Sequence, residues 1–325
     1  MLNDKIKKNL KKQHYILVGK HSSVKICEWT KKSLLDEGVC FKEKFYGIKS
    51  HRCCQMSPST IYCQNKCIHC WRAIELTSGN KMNPKKINEP KEIITESILA
   101  QRKLISGFKG NIKTNKKKFL EAQEPMNFAI SLVGEPTLYP KIGDFIVELR
   151  KLKKTTFLVT NGIQPNLLKR LNNKKQLPTQ LYISLNCSNK KDFDKWHKSS
   201  VKDAWKKFNQ TLKIFPKLKT RRVIRLTLAK GLNDNEKKIK DFAKLIKISK
   251  PDFIEIKSYM AIGFSRKRKE MGYEKMLSHY EIKSYSKRLL NKLKSGYKIL
   301  DEHKPSRVVL IGKNKKKMKI KDREI

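Results

Sequence analysis

Ile61-Tyr-Cys-Gln-Asn-Lys-Cys-Ile-His-Cys-Trp-Arg72 sets Cys63, Cys67 and Cys70 apart by gaps of three and then two residues. That spacing lets one short loop wrap a cube of iron and sulfide with three thiolates, leaving the fourth iron without a protein ligand. Thiolates suit the task because iron–sulfur clusters are held by soft, deprotonated sulfur. A zinc loop is the competing reading. Two-residue gaps between paired cysteines are usual there, and His69 or His51 would supply a fourth ligand.

Downstream of this loop, short apolar runs alternate with helical ones. A helix is expected over Glu89–Ile105, with Ile94, Ile98, Leu99 and Ile105 close to helical spacing. Strands are expected at Phe128–Val133, Thr156–Thr160, Leu181–Asn186, Arg222–Leu228 and Phe253–Tyr259, separated by helices near 142–152, 166–171, 201–214 and 236–248. With a first strand just before Cys63 the count is six. The pattern predicts an α/β fold with a parallel sheet, a partial (β/α)6 barrel short of the full eight. Residues 1–58 read as an N-terminal extension, beginning with a polar helix and the apolar Tyr15–Gly19. Residues 59–275 read as the barrel. Residues 276–325 read as a C-terminal extension of one helix (Ile282–Leu293), one strand (Ser306–Gly312) and a basic tail.

In such folds the polar residues at the C-terminal ends of strands face the ligand. Here those ends carry Gly134, Glu135 and Pro136, then Thr160, Asn161 and Gly162, then Ser184 and Asn186, then Lys257. Glycine lets backbone approach a ligand closely, and carboxylate, amide and hydroxyl groups suit an amino-acid or ribose moiety. Singly these are ordinary turn residues. In succession, downstream of a three-cysteine loop, they indicate a radical S-adenosylmethionine enzyme. An open iron can chelate the amino and carboxylate groups of that cofactor and pass it an electron, and the sulfonium then cleaves to a 5′-deoxyadenosyl radical.

Seven of the eight cysteines fall between residues 27 and 70, which points to metal or redox chemistry rather than a disulfide framework. Cys27, Cys40 and Cys53 have twelve residues between neighbours. Gaps so wide suit three ligands gathered from separate segments into a second cluster; buried thiols are the alternative, and Cys54 beside Cys53 leaves the third ligand open. Cys187 is expected to be a buried core thiol. The formal charge is +47, from 76 Lys plus Arg against 29 Asp plus Glu. A field of that size favours a polyanionic partner such as nucleic acid, although a genome rich in Lys, Asn and Ile codons would produce it too. No apolar run approaches a membrane span and the N-terminus lacks the apolar core of a signal peptide, so a cytoplasmic protein is expected, with no membrane association. A monomer is the expected state for so charged a chain.

These motifs together resemble the archaeal tRNA 4-demethylwyosine synthases, also called wybutosine-synthesising protein 1, within the radical S-adenosylmethionine superfamily. The resemblance runs from about residue 15 to 270. It rests most specifically on Val24-Lys-Ile-Cys-Glu-Trp-Thr-Lys-Lys-Ser-Leu34, Cys40-Phe-Lys-Glu-Lys-Phe-Tyr-Gly-Ile48, Ser50-His-Arg-Cys53, Cys67-Ile-His-Cys-Trp-Arg72, Leu132-Val-Gly-Glu-Pro-Thr137 and Tyr259-Met-Ala-Ile-Gly-Phe-Ser265. The three-cysteine loop belongs to the whole superfamily, and the upstream cysteine triplet to this family. The chain looks like the single-domain form, without the flavodoxin-like domain that eukaryotic relatives carry.

The resemblance implies action on N1-methylguanosine at position 37 of phenylalanine tRNA. The adenosyl radical would take hydrogen from the N1-methyl group, and the resulting carbon radical would add to pyruvate. Loss of the pyruvate carboxyl carbon and ring closure would complete a carbon–carbon lyase reaction of wybutosine biosynthesis. It implies two [4Fe-4S] clusters, S-adenosyl-L-methionine, and an electron donor such as flavodoxin or ferredoxin. Cys63, Cys67 and Cys70 match the ligands of the radical-generating cluster. Cys27, Cys40 and Cys53 match those of a second, whose open iron would hold pyruvate. Lys42 matches a lysine implicated as the Schiff-base partner of pyruvate, a role that needs a neutral amine. The chain departs from the family pattern at His69, where an aromatic residue usually lies against the adenine, and at Cys54. The base must leave its stack to reach the radical, which costs least in a loop. The lysine run at 113–118, Arg266-Lys-Arg-Lys269 and the tail Lys313–Lys321 are candidate phosphate contacts. Trp71 and Arg72, beside the cluster loop, either meet the substrate or pack under it.

Overall fold

Runs of β-branched and aromatic residues separated by amphipathic helices can bury both faces of a sheet, and a parallel pair needs a helical crossover. The computed structural model describes residues 4–325; Met1–Asn3, which belong to the stretch expected to form a polar N-terminal helix, lie outside the described residues. In chain order the elements are α1 (Asp4–Lys12), β1 (Ile16–Val18), β2 (Ser22–Val24), α2 (Glu28–Leu34), α3 (Phe41–Tyr46), β3 (Cys53–Ser57), α4 (Pro90–Ile105), α5 (Lys116–Ala122), β4 (Asn127–Ile130), α6 (Ile142–Lys151), β5 (Thr155–Thr160), α7 (Pro165–Asn173), β6 (Gln180–Ser184), α8 (Lys190–His197), α9 (Ala204–Ile214), β7 (Arg221–Leu228), α10 (Glu236–Ser249), β8 (Phe253–Ser258), α11 (His279–Leu293), β9 (Lys298–His303) and β10 (Val308–Gly312).

All ten strands form one mixed sheet in the order β1-β2-β3-β4-β5-β6-β7-β8-β10-β9. The six strands β3 to β8 are parallel, as the alternating pattern predicts. Antiparallel β1 and β2 extend one side and antiparallel β10 and β9 the other. The sheet is open, with β1 and β9 as its edges. The first parallel strand is Cys53–Ser57, further upstream of Cys63 than expected, so the strand itself carries Cys53 and Cys54.

Side chains alternate across a strand, and that alternation sorts the core into two layers. Phe128, Ile130, Leu158, Leu181, Ile183, Ile224, Leu226, Ile254, Ile256, Val309 and Ile311 pack against the helical layer, including Phe145 and Ile146 of α6, Phe208 of α9 and Phe242 of α10. Phe157, Tyr182, Val223, Phe253, Val308 and Leu310 point the other way and pack against Phe41, Phe45 and Tyr46 of the short α3. The polar residues Arg225, Glu255 and Lys257 follow the second parity, being two or four positions along from Val223 and Phe253. The sheet's inner face is therefore apolar towards one end and charged where it meets α3. Burying each of these aromatic rings contributes on the order of 2–3 kcal/mol.

Six elements had no counterpart in the sequence pattern: β2, α2, α3, α5 within the lysine-rich connection, α8 and β9. Each is short or dominated by charged residues, so its buried positions are too few to set a period.

Candidate active site

After β3 the chain enters the loop that carries Cys63, Cys67 and Cys70, all half-buried and unpaired. Three neighbours shape it. The segment Trp196–Ser200, running on from α8, lies alongside: Lys66 N–H donates to the His197 carbonyl (2.9 Å), Ile68 N–H to that of Trp196 (3.0 Å), and Ser200 N–H to that of Gln64 (2.9 Å). Arg268 clamps the far side, donating to the carbonyls of Ile68 (2.8 Å), Cys70 (2.5 Å) and Arg72 (2.8 Å). Beneath, the buried Arg72 donates to Asn65 O and Thr77 Oγ1 (2.6 Å each). Burial opposes the charge of Arg72, but the three cysteine sulfurs around it outweigh that and raise its pKa. Two glycines permit the close approaches. A Cβ on Gly134 (φ +75°) would stand 2.2 Å from Ser59 O, and one on Gly263 (φ +57°) 2.5 Å from Trp71 O.

Sulfur to sulfur, the loop is compact enough that Cys63 and Cys70 both raise the pKa of Cys67, after burial as the main cause. Burial likewise pushes the Cys63 thiol up to about 12. Such thiols ionise when a metal supplies positive charge. Among the described residues no three His, Cys, Asp or Glu side chains close on a single ion. The donor chemistry, soft unpaired sulfur with cationic Arg72 behind it, fits an iron–sulfur cluster. His197 Nδ1 lies 3.1 Å from Cys67 Sγ. Burial, then the neighbouring His69, holds His197 down to about 3, so its ring is neutral.

The strand-end residues converge beside this loop. Glu135 is 3% exposed. Its carboxylate accepts from the N–H and hydroxyl of Thr137 (3.2 and 2.6 Å), the hydroxyl of Thr160 (2.6 Å) and Asn161 N–H (2.8 Å). Burial raises its pKa, and these donors pull it back. Glu135 N–H in turn donates to Tyr62 O (2.8 Å), just before Cys63, and Pro136 begins the turn that follows. Asn161 reaches Gln64 (3.3 Å). Ser184 ends β6, half-buried; Asn186 accepts from Thr227 N–H (3.2 Å) and lies 3.4 Å from His69 Nε2. His69 accepts the indole N–H of Trp196, with ring centroids 5.3 Å apart.

Cys27, Cys40 and Cys53 also come together, from three elements. Cys27 and Cys40 are the N-caps of α2 and α3, and Cys53 opens β3. Hydrogen bonds tie these segments: Thr30 hydroxyl to Ser50 O (3.1 Å), Cys40 N–H to Ser50 Oγ (2.8 Å), and Ser50 N–H to Glu43 Oε2 (2.7 Å). Burial pushes the Cys53 thiol up to about 12, with Lys42 pulling it down and Cys27 and Cys40 adding to the rise. Cys54 takes the opposite face of β3. It is fully buried in the helical layer, its sulfur 3.9 Å from Ser97 O of α4. Strand alternation thus places Cys53, and not Cys54, beside Cys27 and Cys40.

Lys42 follows Cys40 by two residues and is 8% exposed. Its amine stands 4.2 Å from the Phe157 ring centroid and 5.4 Å from that of Tyr182. Burial, then the charge of Arg225, lowers its pKa. Arg225 is paired to the fully buried Glu255 (2.8 Å), which also accepts from Tyr46 (2.6 Å). Lys257 completes this inner-face group, 5.7 Å above the Phe41 ring.

Some members of the basic runs make contacts within the protein, and one of the two readings of Trp71 and Arg72 is favoured. Arg268, grouped by sequence with a basic run of candidate phosphate contacts, is turned inward onto the three-cysteine loop. Lys118 pairs with Asp36 (2.5 Å), and Lys319 of the tail donates to Lys44 O (2.6 Å). Trp71 and Arg72 pack under the loop, Trp71 donating to Leu132 O (2.9 Å). Cys187 is the expected buried thiol, 2% exposed. The residues the sequence reading passed over are Arg225, Glu255, Tyr182, Phe157, Trp196 and His197. An arginine and a glutamate breaking two apolar strands at like positions were the available signal for the first pair.

Six parallel strands, with a three-cysteine loop after the first of them and polar groups gathered at the strand ends, define a radical S-adenosylmethionine protein. The family model of the radical SAM superfamily matches residues 57–243, and that described as wyosine base formation matches residues 248–313. The chain is 46% identical over 301 residues to the S-adenosyl-L-methionine-dependent tRNA 4-demethylwyosine synthase of Pyrococcus abyssi, covering 93% of this chain and 86% of that one. It is 41% identical to the synthase of Methanocaldococcus jannaschii, covering 98% and 99%. A solved structure of TYW1 with a lysine–pyruvate adduct bound superposes with a TM-score of 0.84 at 37% identity, covering 99% of both chains. The chain belongs to the family of radical S-adenosylmethionine tRNA 4-demethylwyosine synthases.

Proposed function

We propose that this chain condenses N1-methylguanosine-37 of phenylalanine tRNA with pyruvate to form tricyclic 4-demethylwyosine, a carbon–carbon lyase reaction. The observation that carries the reading is Lys42. Its buried amine faces aromatic rings, forms no hydrogen bond or ion pair among the described residues, and sits beside Cys40 and Cys53. The lysine–pyruvate adduct of the TYW1 structure supports giving this lysine the same role.

Cys63, Cys67 and Cys70 would hold the radical-generating [4Fe-4S] cluster, and Cys27, Cys40 and Cys53 a second. When bound, the first supplies the electron that cleaves S-adenosylmethionine. Gly134, Glu135, Pro136, Asn161, Ser184 and Asn186 would bind that cofactor. Glu135, fixed by four internal donors, cannot swing away to meet water, so it orients what it holds. The amine of Lys42 attacks the ketone carbon of pyruvate. Phe157 and Tyr182 shield it on one side and favour its neutral form by excluding water.

The 1–58, 59–275 and 276–325 stretches divide by role: second cluster, radical chemistry, and a C-terminal extension that continues the sheet past β8. The enzyme works in the cytoplasm, as a monomer, with flavodoxin or ferredoxin as electron source. No helix among the described residues is long and apolar enough to cross a membrane.

The test is mass spectrometry of nucleosides after anaerobic incubation of N1-methylguanosine-containing tRNA with reconstituted protein, reductant, S-adenosylmethionine and pyruvate. A tricyclic nucleoside that requires pyruvate is expected. Release of 5′-deoxyadenosine with the base unchanged would contradict the substrate assignment.

A further inference from the structure

Three cations meet on the inner face of the sheet where it touches α3, and among the described residues only Arg225 has a direct ion-pair partner. Arg225 is bound through two nitrogens to Glu255 (2.9 and 2.8 Å), the residue directly opposite it in the β7–β8 register. Lys257 is two residues further along β8, opposite Thr227, hence diagonal to Arg225 on the same face. The amines of Lys42 and Lys257 form no hydrogen bond or ion pair among the described residues. Their surroundings are shared. Arg225 stands 4.4 Å above the Tyr182 ring, which Lys42 also approaches, and 6.0 Å from the Phe41 ring, which Lys257 approaches. Cys40 acts electrostatically on both lysines. An ammonium group held out of bulk water with no counter-ion is unfavourable unless an anion joins it. Glu255 is held by Arg225 and Tyr46, and the thiolates of Cys27, Cys40 and Cys53 would be committed to iron, so a carboxylate brought by the substrate is the acceptor that fits the two amines.

We propose that Lys257 is the carboxylate-binding residue of the 2-oxo-acid site, holding the substrate's carboxylate while its ketone carbon faces Lys42. The proposal rests on pyruvate being the substrate of that site, as set out above. Arg225 is a positioning residue: locked by Glu255, it keeps a fixed positive charge behind both lysines and blocks the carboxylate from binding deeper. Lys257 then separates 2-oxo acids from plain ketones, because a ketone without a carboxylate leaves its charge uncompensated.

The chemistry gives a readout independent of turnover. The Lys42 amine adds to the ketone carbon, the oxygen leaves as water, and the resulting C=N bond takes hydride from cyanoborohydride at carbon and a proton at nitrogen. The stable secondary amine is counted by intact-mass and peptide mass spectrometry of the cluster-loaded protein. The probes are pyruvate and acetone, two methyl ketones differing in the carboxylate. The unaltered protein should label at Lys42 with pyruvate at far lower concentration than with acetone. Lys257→Met should raise the pyruvate concentration for half-labelling by roughly 10–100-fold, as loss of a charge-assisted hydrogen bond implies. Acetone labelling should stay unchanged, and Lys257→Gln should give the same loss with a polar side chain retained. An undiminished preference for pyruvate in both variants would overturn the proposal while leaving the pyruvate reading intact. Loss of iron in both variants, with the preference kept by whatever protein remains loaded, would also overturn it, assigning the charge of Lys257 to the thiolates instead. No pyruvate label on Lys42 in the unaltered protein would overturn both readings together.

Discussion

Cys63, Cys67 and Cys70 lie within one eight-residue loop, whereas Cys27, Cys40 and Cys53 cap two helices and open a strand. The first group is set by local spacing, and the rest of the fold only braces it. The second exists only once α2, α3 and β3 have packed, through Thr30, Ser50 and Glu43, residues with no metal chemistry of their own. A metal site can therefore be a property of a sequence or a property of a fold, and this chain contains candidates of both kinds. The two should respond differently to damage.

The largest expected effect is chemical. Replacing Cys63, Cys67 and Cys70 with alanine should abolish reductive release of 5′-deoxyadenosine, measured by chromatography, while the protein keeps the iron of its other group. Next in size is the contrast within β3. Cys53→Ala should remove one cluster's worth of iron and of visible absorption. Cys54→Ala should keep both and cost about 1 kcal/mol of stability, the usual penalty for a small cavity in a packed core. Equal iron loss in both variants would erase the face-by-face assignment. Arg268→Met tests the bracing of the local loop. It removes three hydrogen bonds from a guanidinium to backbone carbonyls and should cost about 2–4 kcal/mol. Chelators should then strip the radical cluster faster, with the second unaffected.

The smallest effect concerns acid. Lys49 and then His51 hold the Glu121 carboxyl down to about 2 through hydrogen bonds of 2.8 Å, tying α5 to the turn before Cys53. Its folded pKa lies below the usual carboxylate value, so this tie is present above about 4.5 and is lost as pH falls towards 2. Glu121→Gln should therefore speed amide exchange at residues 49–53 at neutral pH, and the difference from the unaltered protein should vanish at strongly acidic pH.

Much of this architecture was legible in the sequence, for reasons that differ by region. Five of the six parallel strands announced themselves because each carries at least three apolar residues between turn signals, whereas the first, Cys53–Ser57, was expected closer to Cys63. The three-cysteine loop was legible because its candidate ligands are close in sequence. The non-local site was legible only in part. Cys53 and Cys54 are indistinguishable until the register of β3 assigns their faces, and Lys42 resembles the chain's many other lysines until Phe157, Tyr182 and Arg225 surround it. Arg268 misled for the same reason: a basic run has no visible direction, and only folding turned one member inward.

The measurement that tests the central claim most directly is Mössbauer spectroscopy of protein reconstituted with 57Fe, run on the two triple variants and the unaltered chain. Two separately built clusters predict that each variant keeps a [4Fe-4S] signal of about half the unaltered area, the areas adding to the whole. If the variant lacking Cys27, Cys40 and Cys53 retained the full signal, or the one lacking Cys63, Cys67 and Cys70 lost all of it, the account of two independent sites would be contradicted.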